Sequence, residues 1–262
     1  MTELTVLSLL SPKTQPAHTA IATYLREHAG IGARLISGPP WQVQLRLLDA
    51  GLAHVAFICG LRYTRRADTL EPLAAPLPAG PRYRGRPVYF SDVVVRRESR
   101  FRRFADLRGA RLAYSEPASL PGYEALRAHL AQRGYPAGFF GAAIEAGDYL
   151  GSLGLLLEGE CDVIAIDSTV LELALRDNPE LGMEIRTLTT IGPLPTPPCV
   201  VSRALPAEVK ASLRAALVTL HEHPSGRAAL EAGRLLGFAP VSDADYEPIR
   251  RITRLAAGVS LT

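Results

Sequence analysis

Residues 111–133 read RLAYSEPASLPGYEALRAHLAQR. The opening RLAY predicts a short strand over 111–114, and the closing residues predict a helix over 123–133. The link between them, YSEPASLPGY (114–123), is small, polar and turn-forming. A strand-to-helix turn of this kind presents unsatisfied backbone N–H groups and the positive end of a helix dipole, which together suit an anion. The plainer alternative is a capped helix start, in which Ser and Pro only satisfy and stiffen the first turn.

Working outward, strands and helices keep alternating. Toward the N-terminus the pattern predicts a strand over 4–10 and a helix over 14–29, with Ala17, Ile21, Tyr24 and Leu25 at helical spacing. A strand over 33–37, a helix over 42–50 and the apolar run HVAFIC (54–59) follow, the last as expected of a strand buried on both faces. Residues 60–86, rich in Pro, Gly and Arg, read as an irregular connection, and VYFSDVVV (88–95) is a strong strand. A short helix is expected over 101–107. Beyond the quoted stretch come strand-like 140–145, a helix over 150–158, the buried-type strand CDVIAI (161–166), a helix over 169–176 and a strand over 185–190. A Pro-rich turn over 192–198 leads to a strand over 199–202, and the chain is expected to end in helices over 206–223, 226–235 and 243–257. Two α/β series with helices at the end argue for two lobes. The expected division is 1–88 plus 197–262 for lobe I and 91–190 for lobe II, joined by a two-strand hinge. A cleft between such lobes is the natural ligand site.

Composition narrows the function. The 262 residues are 47% hydrophobic, and 29 basic against 26 acidic residues leave a net charge of +3. Basic clusters at RYTRR (62–66), RYRGR (82–86) and RRESRFRR (96–103) are read as solvated surface. With one Trp and no helix-turn-helix or zinc-finger pattern, no nucleic-acid partner is expected. Cys59, Cys161 and Cys199 lie far apart in apolar contexts and read as free thiols. No metal constellation, phosphate loop or cofactor motif is found, so no cofactor is expected. No run approaches the ~20 apolar residues of a membrane helix. The N-terminal run reads as a strand and not as a secretion signal. The expected location is therefore periplasmic or extracellular if a leader was removed, and cytoplasmic if Met1 is the native start.

The stretches YFSDVVV (89–95), FADLRGARLAYSEPASLPGY (104–123), AGDYLGSLGLLLEGECDVIAIDS (146–168) and GPLPTPPCVVS (192–202) occur in an order that is informative. Together they resemble the phosphate/phosphite/phosphonate-binding proteins of ABC importers, which have the type II periplasmic binding fold. The resemblance implies an α/β, two-lobed fold, each lobe a mixed sheet flanked by helices. It also implies that four loops reach the ligand. On these loops stand Tyr89 and Ser91; Ser119, Gly122 and Tyr123; Asp148, Tyr149 and Ser152; and Asp167. From the first lobe, Trp41 and Cys59, with Tyr63 nearby, are expected to wall the site. Two positions depart from the family pattern. Pro121 replaces a serine and removes a backbone donor as well. Tyr149 replaces a histidine, so it offers a hydrogen bond but no positive charge at neutral pH. Asp148 and Asp167 add negative charge, although Asp167 reads equally well as an N-cap for the helix over 169–176.

The function implied is a solute-binding protein that closes on a small polar or anionic ligand, phosphonate-like or a related metabolite, for an ABC-type uptake system. Its partners would be that small molecule and an ABC permease. The alternatives are a cytoplasmic enzyme on the same fold, with Asp148, Asp167 or Tyr149 as acid–base groups, and a ligand sensor. Binding ranks first; the enzyme ranks second, since no nucleophile–base pair is found, and the sensor third.

Overall fold

The computed structural model describes residues 3–262, so Met1 and Thr2 lie outside the described residues. The chain divides into two compact units. Unit 1 comprises the chain up to Val88 together with Pro195–Glu247, and unit 2 comprises Tyr89–Leu194 together with Pro248–Thr262.

Unit 1 is built on a six-stranded sheet. Its first strands are β1 (Leu4–Leu9), β2 (Ala33–Ile36) and β3 (Val55–Ile58), with β1 pairing in parallel with both others. Helices α1 (Gln15–Glu27) and α2 (Trp41–Asp49) lie between them in sequence. Next come α3 (Gly60–Thr64) and β4 (Leu70–Pro78). The sequence reading of 60–86 as irregular is therefore corrected. β4 carries Pro72, Pro76 and Pro78, which argue against a strand because each lacks a ladder donor. The ladder survives with register shifts on both neighbours.

Unit 2 carries a five-stranded sheet in the order β7-β6-β8-β5-β9. Its elements are β5 (Val88–Arg96), β6 (Arg111–Tyr114), α4 (Ala125–Gln132), β7 (Ala142–Glu145), α5 (Tyr149–Glu158), β8 (Val163–Asp167), α6 (Ser168–Asp177), α7 (Leu181–Glu184) and β9 (Ile185–Pro195). Strands β6, β7 and β8 are parallel, and β5 runs antiparallel to β8. The apolar alternation explains why these strands read as continuous hydrophobic runs. Val93, Val95, Leu112, Val163 and Ala165 face a cluster containing Phe104, Leu126 and Phe140. Val94, Ala113, Ile164 and Ile166 face the opposite cluster, with Leu153, Leu156 and Val170. Helices therefore cover both faces.

The chain then returns to unit 1 as β10 (Cys199–Ser202), α8 (Ala207–Val218), α9 (Pro224–Ala232) and β11 (Leu235–Pro240). β11 corrects the all-helical ending. Gly237 and Pro240 disguise it, but it pairs antiparallel with β4 at the sheet edge. The last helix, α10 (Glu247–Ala256), leads into a tail that belongs to unit 2, not to lobe I as expected. Leu261 is buried there, Phe140 N–H bonds its carbonyl at 2.9 Å, and Arg127 Nε bonds the Val259 carbonyl at 2.7 Å.

Candidate ligand-binding site

In unit 2 the parallel strands β6, β7 and β8 all end on one edge of the sheet, and three helical segments begin there. β5 starts on the same edge, since it is antiparallel to β8. In open α/β sheets this carboxyl edge is where ligands bind. The nine unit 2 residues expected from sequence lie at or just past this edge, with Gly122 and Tyr123 both inside the turn Leu120–Glu124.

The stretch 114–123 does not run straight into an α-helix. Residues Leu120–Glu124 form a wide π-type turn before α4 begins. Ser119 is its N-cap, and its Oγ accepts from the Gly122 N–H at 3.0 Å. The same hydroxyl shares a 2.8 Å hydrogen bond with the Tyr149 hydroxyl, which joins this turn to the start of α5. Ser91 is fully buried and donates to the Pro121 carbonyl at 2.6 Å. Gly122 is what lets these groups gather. A Cβ there would lie 2.8 Å from Ser115 Oγ, 2.9 Å from Ser119 Oγ and 3.2 Å from Tyr149 Cε1. Ser115 was not among the residues expected from the sequence. Its Oγ is buried and has no hydrogen-bond partner among the described residues. Such a group is costly to leave unmet, which marks the place as polar and incomplete.

Both expected carboxylates cap helices. Asp148 accepts from the Gly151 N–H at 2.7 Å, and its carbonyl accepts from the Ser152 hydroxyl at 3.0 Å. Asp167 Oδ1 accepts from the Thr169 N–H at 2.8 Å, the Thr169 hydroxyl at 2.6 Å and the Val170 N–H at 3.4 Å. Burial nevertheless pushes the Asp167 carboxyl up to about 6, and the charge of Asp92 adds to the rise. Asp92 is a further buried acid that the sequence reading passed over inside an apolar strand. Its carboxylate accepts from the Thr190 hydroxyl at 2.8 Å. Ser168, also passed over, is buried and accepts from the Phe90 N–H at 3.0 Å.

The remaining expected residues are placed as follows. Tyr89 is buried at the start of β5. Tyr123 packs against Tyr114 with the rings tilted by 50° and their centroids 4.8 Å apart, and the Arg127 guanidinium lies 5.3 Å from its ring. In unit 1, Trp41 opens α2, and Cys59 is the N-cap residue of α3. Both follow carboxyl ends of parallel strands in the unit 1 sheet. Tyr63 is buried and donates to Asp243 at 2.6 Å. Arg62 overturns the reading of RYTRR as solvated surface. It is buried, with its guanidinium 4.1 Å from the Trp41 ring centroid. A charge run gives no sign of which member turns inward.

A family model described as the periplasmic substrate-binding protein of phosphonate ABC transporters matches residues 4–246. Among solved structures, a binding-protein component of an ABC phosphonate transporter from Pseudomonas aeruginosa superposes with a TM-score of 0.83 at 15% identity, covering 97% of this chain and 86% of that one. A Prochlorococcus marinus protein solved with methylphosphonate gives 0.80 at 16% identity, covering 96% and 97%. A Xanthomonas citri protein solved bound to ATP gives 0.71 at 20% identity, covering 98% and 97%.

Proposed function

The chain belongs to the family of periplasmic substrate-binding proteins of phosphonate ABC transporters, and from that membership we propose that it binds a small oxyanion-bearing solute at the carboxyl edge of the unit 2 sheet. The observation that carries the reading is the gathering of Ser115, Ser119 and Tyr149 about the bare Cα of Gly122. Hydroxyls and helix-start N–H groups grip oxygen atoms without any covalent chemistry. Asp148 and Asp167 act as caps in this reading, and no acid–base step is assigned to them. The finer parts of the proposal are that the solute is released unchanged, that it passes to an ABC permease, and that the protein works in the periplasm. No helix among the described residues is long and apolar enough to cross a membrane, which agrees with handover to a separate permease.

The two ligand-bearing relatives supply the first probes. A thermal-shift screen with methylphosphonate, phosphate, phosphite, carboxylates, amino acids and ATP tests the reading. A ligand at 100 times its dissociation constant stabilises the fold by ~2.7 kcal/mol, which raises Tm by several degrees. Methylphosphonate or another small oxyanion is expected to give the shift and to be recovered unaltered. No shift with any probe contradicts binding, and a compound returned chemically altered contradicts the non-enzymatic part.

A further inference from the structure

The run RRESRFRR (96–103) carries five arginines against one acid. It follows β5 on the edge of the unit 2 sheet opposite the proposed solute site, since Val95 pairs with Val163 at the start of β8. The loop is held in one shape. Arg186, in β9, donates from Nε to the Arg97 carbonyl at 3.1 Å. One of its terminal nitrogens donates to the Ser99 carbonyl at 3.3 Å, the Ser99 hydroxyl at 3.2 Å and the Phe101 carbonyl. Asp106 accepts from the Arg102 and Arg103 N–H groups at 2.9 and 3.1 Å. The Arg97 N–H bonds the Glu184 carbonyl at 2.7 Å, and its guanidinium bonds the Gly182 carbonyl, which ties α7 to the loop. On α7, Met183 is 69% exposed. Two of the five arginines meet acids: Arg96 lies 3.7 Å from Asp162, and Arg103 lies 3.1 Å from Asp106. Arg97, Arg100, Arg102 and Arg186 form no salt bridge among the described residues. Burial lowers the Arg186 pKa, and the charges of Arg102 and Arg97 add to the fall, so these guanidinium groups stand close together.

We propose that this face of unit 2 docks on an anionic lipid surface, its arginines meeting the lipid phosphates. Guanidinium forks match phosphate oxygens in pairs, and each arginine near such a surface adds to the attraction. Arg97, Arg100, Arg102 and Arg103 are exposed and spread along the loop. A lipid surface offers them many phosphates at once, which one small ion cannot do. It also receives the exposed Met183 side chain, for which a nucleic acid backbone has no counterpart. The aromatic members of this segment, Phe101 and Phe104, are buried, so no base stacks on them. A specific protein partner would call for a larger apolar or aromatic anchor than Met183 alone. The inference stands apart from solute binding, because it concerns the opposite edge of the sheet.

Vesicle flotation tests it on the full chain, with vesicles of phosphatidylcholine alone and of phosphatidylcholine mixed equally with phosphatidylglycerol, at low and at high salt. Binding is expected with phosphatidylglycerol at low salt, to be lost at high salt, and to be absent with phosphatidylcholine alone. The double variant Arg97→Gln/Arg102→Gln keeps Arg186, which holds the loop. It is expected to weaken binding about fivefold for each arginine removed, roughly twenty-five-fold for the pair. Thermal melts check that it folds. If it does not, Arg100→Gln, which lies outside the bonds described above, is expected to give the single fivefold step, again about that size. No flotation with phosphatidylglycerol, or flotation that these variants leave unchanged, overturns the inference. Release of the bound protein by inorganic phosphate at constant ionic strength also overturns it, since that marks a site for a small ion. So does binding of polyuridylate or polyglutamate through these arginines with none to the vesicles, which assigns the face to a nucleic acid or an acidic protein. No solute enters the test, so its failure leaves the solute-binding reading standing.

Discussion

Ser119 is the side chain on which the proposed unit 2 site turns. One oxygen caps the Gly122 N–H and meets the Tyr149 hydroxyl, so it spends hydrogen bonds on the fold at the point where a solute would draw on them. Ser119→Ala is therefore expected to act twice. Solute affinity should fall by roughly 1–2 kcal/mol, about tenfold, as one hydrogen bond to a polar group is lost. Stability should fall by about 1 kcal/mol, the usual cost of removing an N-cap. Ser119→Thr should recover most of both. Calorimetry and thermal melts on the three proteins check this, and unchanged affinity in Ser119→Ala would remove the turn from the site. The capping role was legible in the sequence, because a polar strand-to-helix turn calls for a side chain such as Ser119 to meet a first-turn N–H. The place of Ser115 was not, since a serine four residues earlier gives no sign of folding back over Gly122. Arg62 was hidden for the opposite reason. It sits in a run of like charges, whose ordinary fate is solvent.

At the level of elements, the strands of unit 2 were the most legible part of the fold. CDVIAI and VYFSDVVV are apolar on both faces, and both faces are covered by side-chain clusters. The parallel pairing that follows puts the helix starts on one edge, so the position proposed for the site follows from sheet topology. Unit 1 was read less well where backbone chemistry contradicts pattern. Three prolines in β4 and a glycine and a proline in β11 all count against strands, yet the two strands pair with each other in the sheet. Pairing between distant segments supplies the hydrogen bonds that local propensity argues against.

At the scale of the whole molecule, the chain passes between units at Val88/Tyr89, at Leu194/Pro195 and again at Glu247/Pro248. The third passage was missed because α10 reads as one more helix, and it is the burial of Leu261 and the hydrogen bonds to the Val259 and Leu261 carbonyls that tie the tail to unit 2. Acid stability also belongs to this scale. His18 is buried against Phe57 and hydrogen-bonded to Ser8, and burial lowers its pKa from 6.5 to about 3. The unfolded chain then binds the extra proton between those values, so stability should rise with pH from about 3 to 6.5. Asp167 works in the opposite sense. Its raised pKa gives stability at low pH that is lost as pH rises from 3.8 toward about 6. The larger shift belongs to His18, so melts across this range should show a net rise in Tm with pH. His18→Asn, which keeps an acceptor for Ser8, should flatten it, and an unaltered slope would assign the acid sensitivity elsewhere. The central claim concerns where the solute sits, and hydrogen exchange with and without saturating methylphosphonate tests it most directly. Amides at 120–124 and 149–153 should exchange more slowly with the solute bound, while those at 97–103, past the opposite end of β5, should not change. Calorimetric binding without protection at 120–124 and 149–153 would contradict the site.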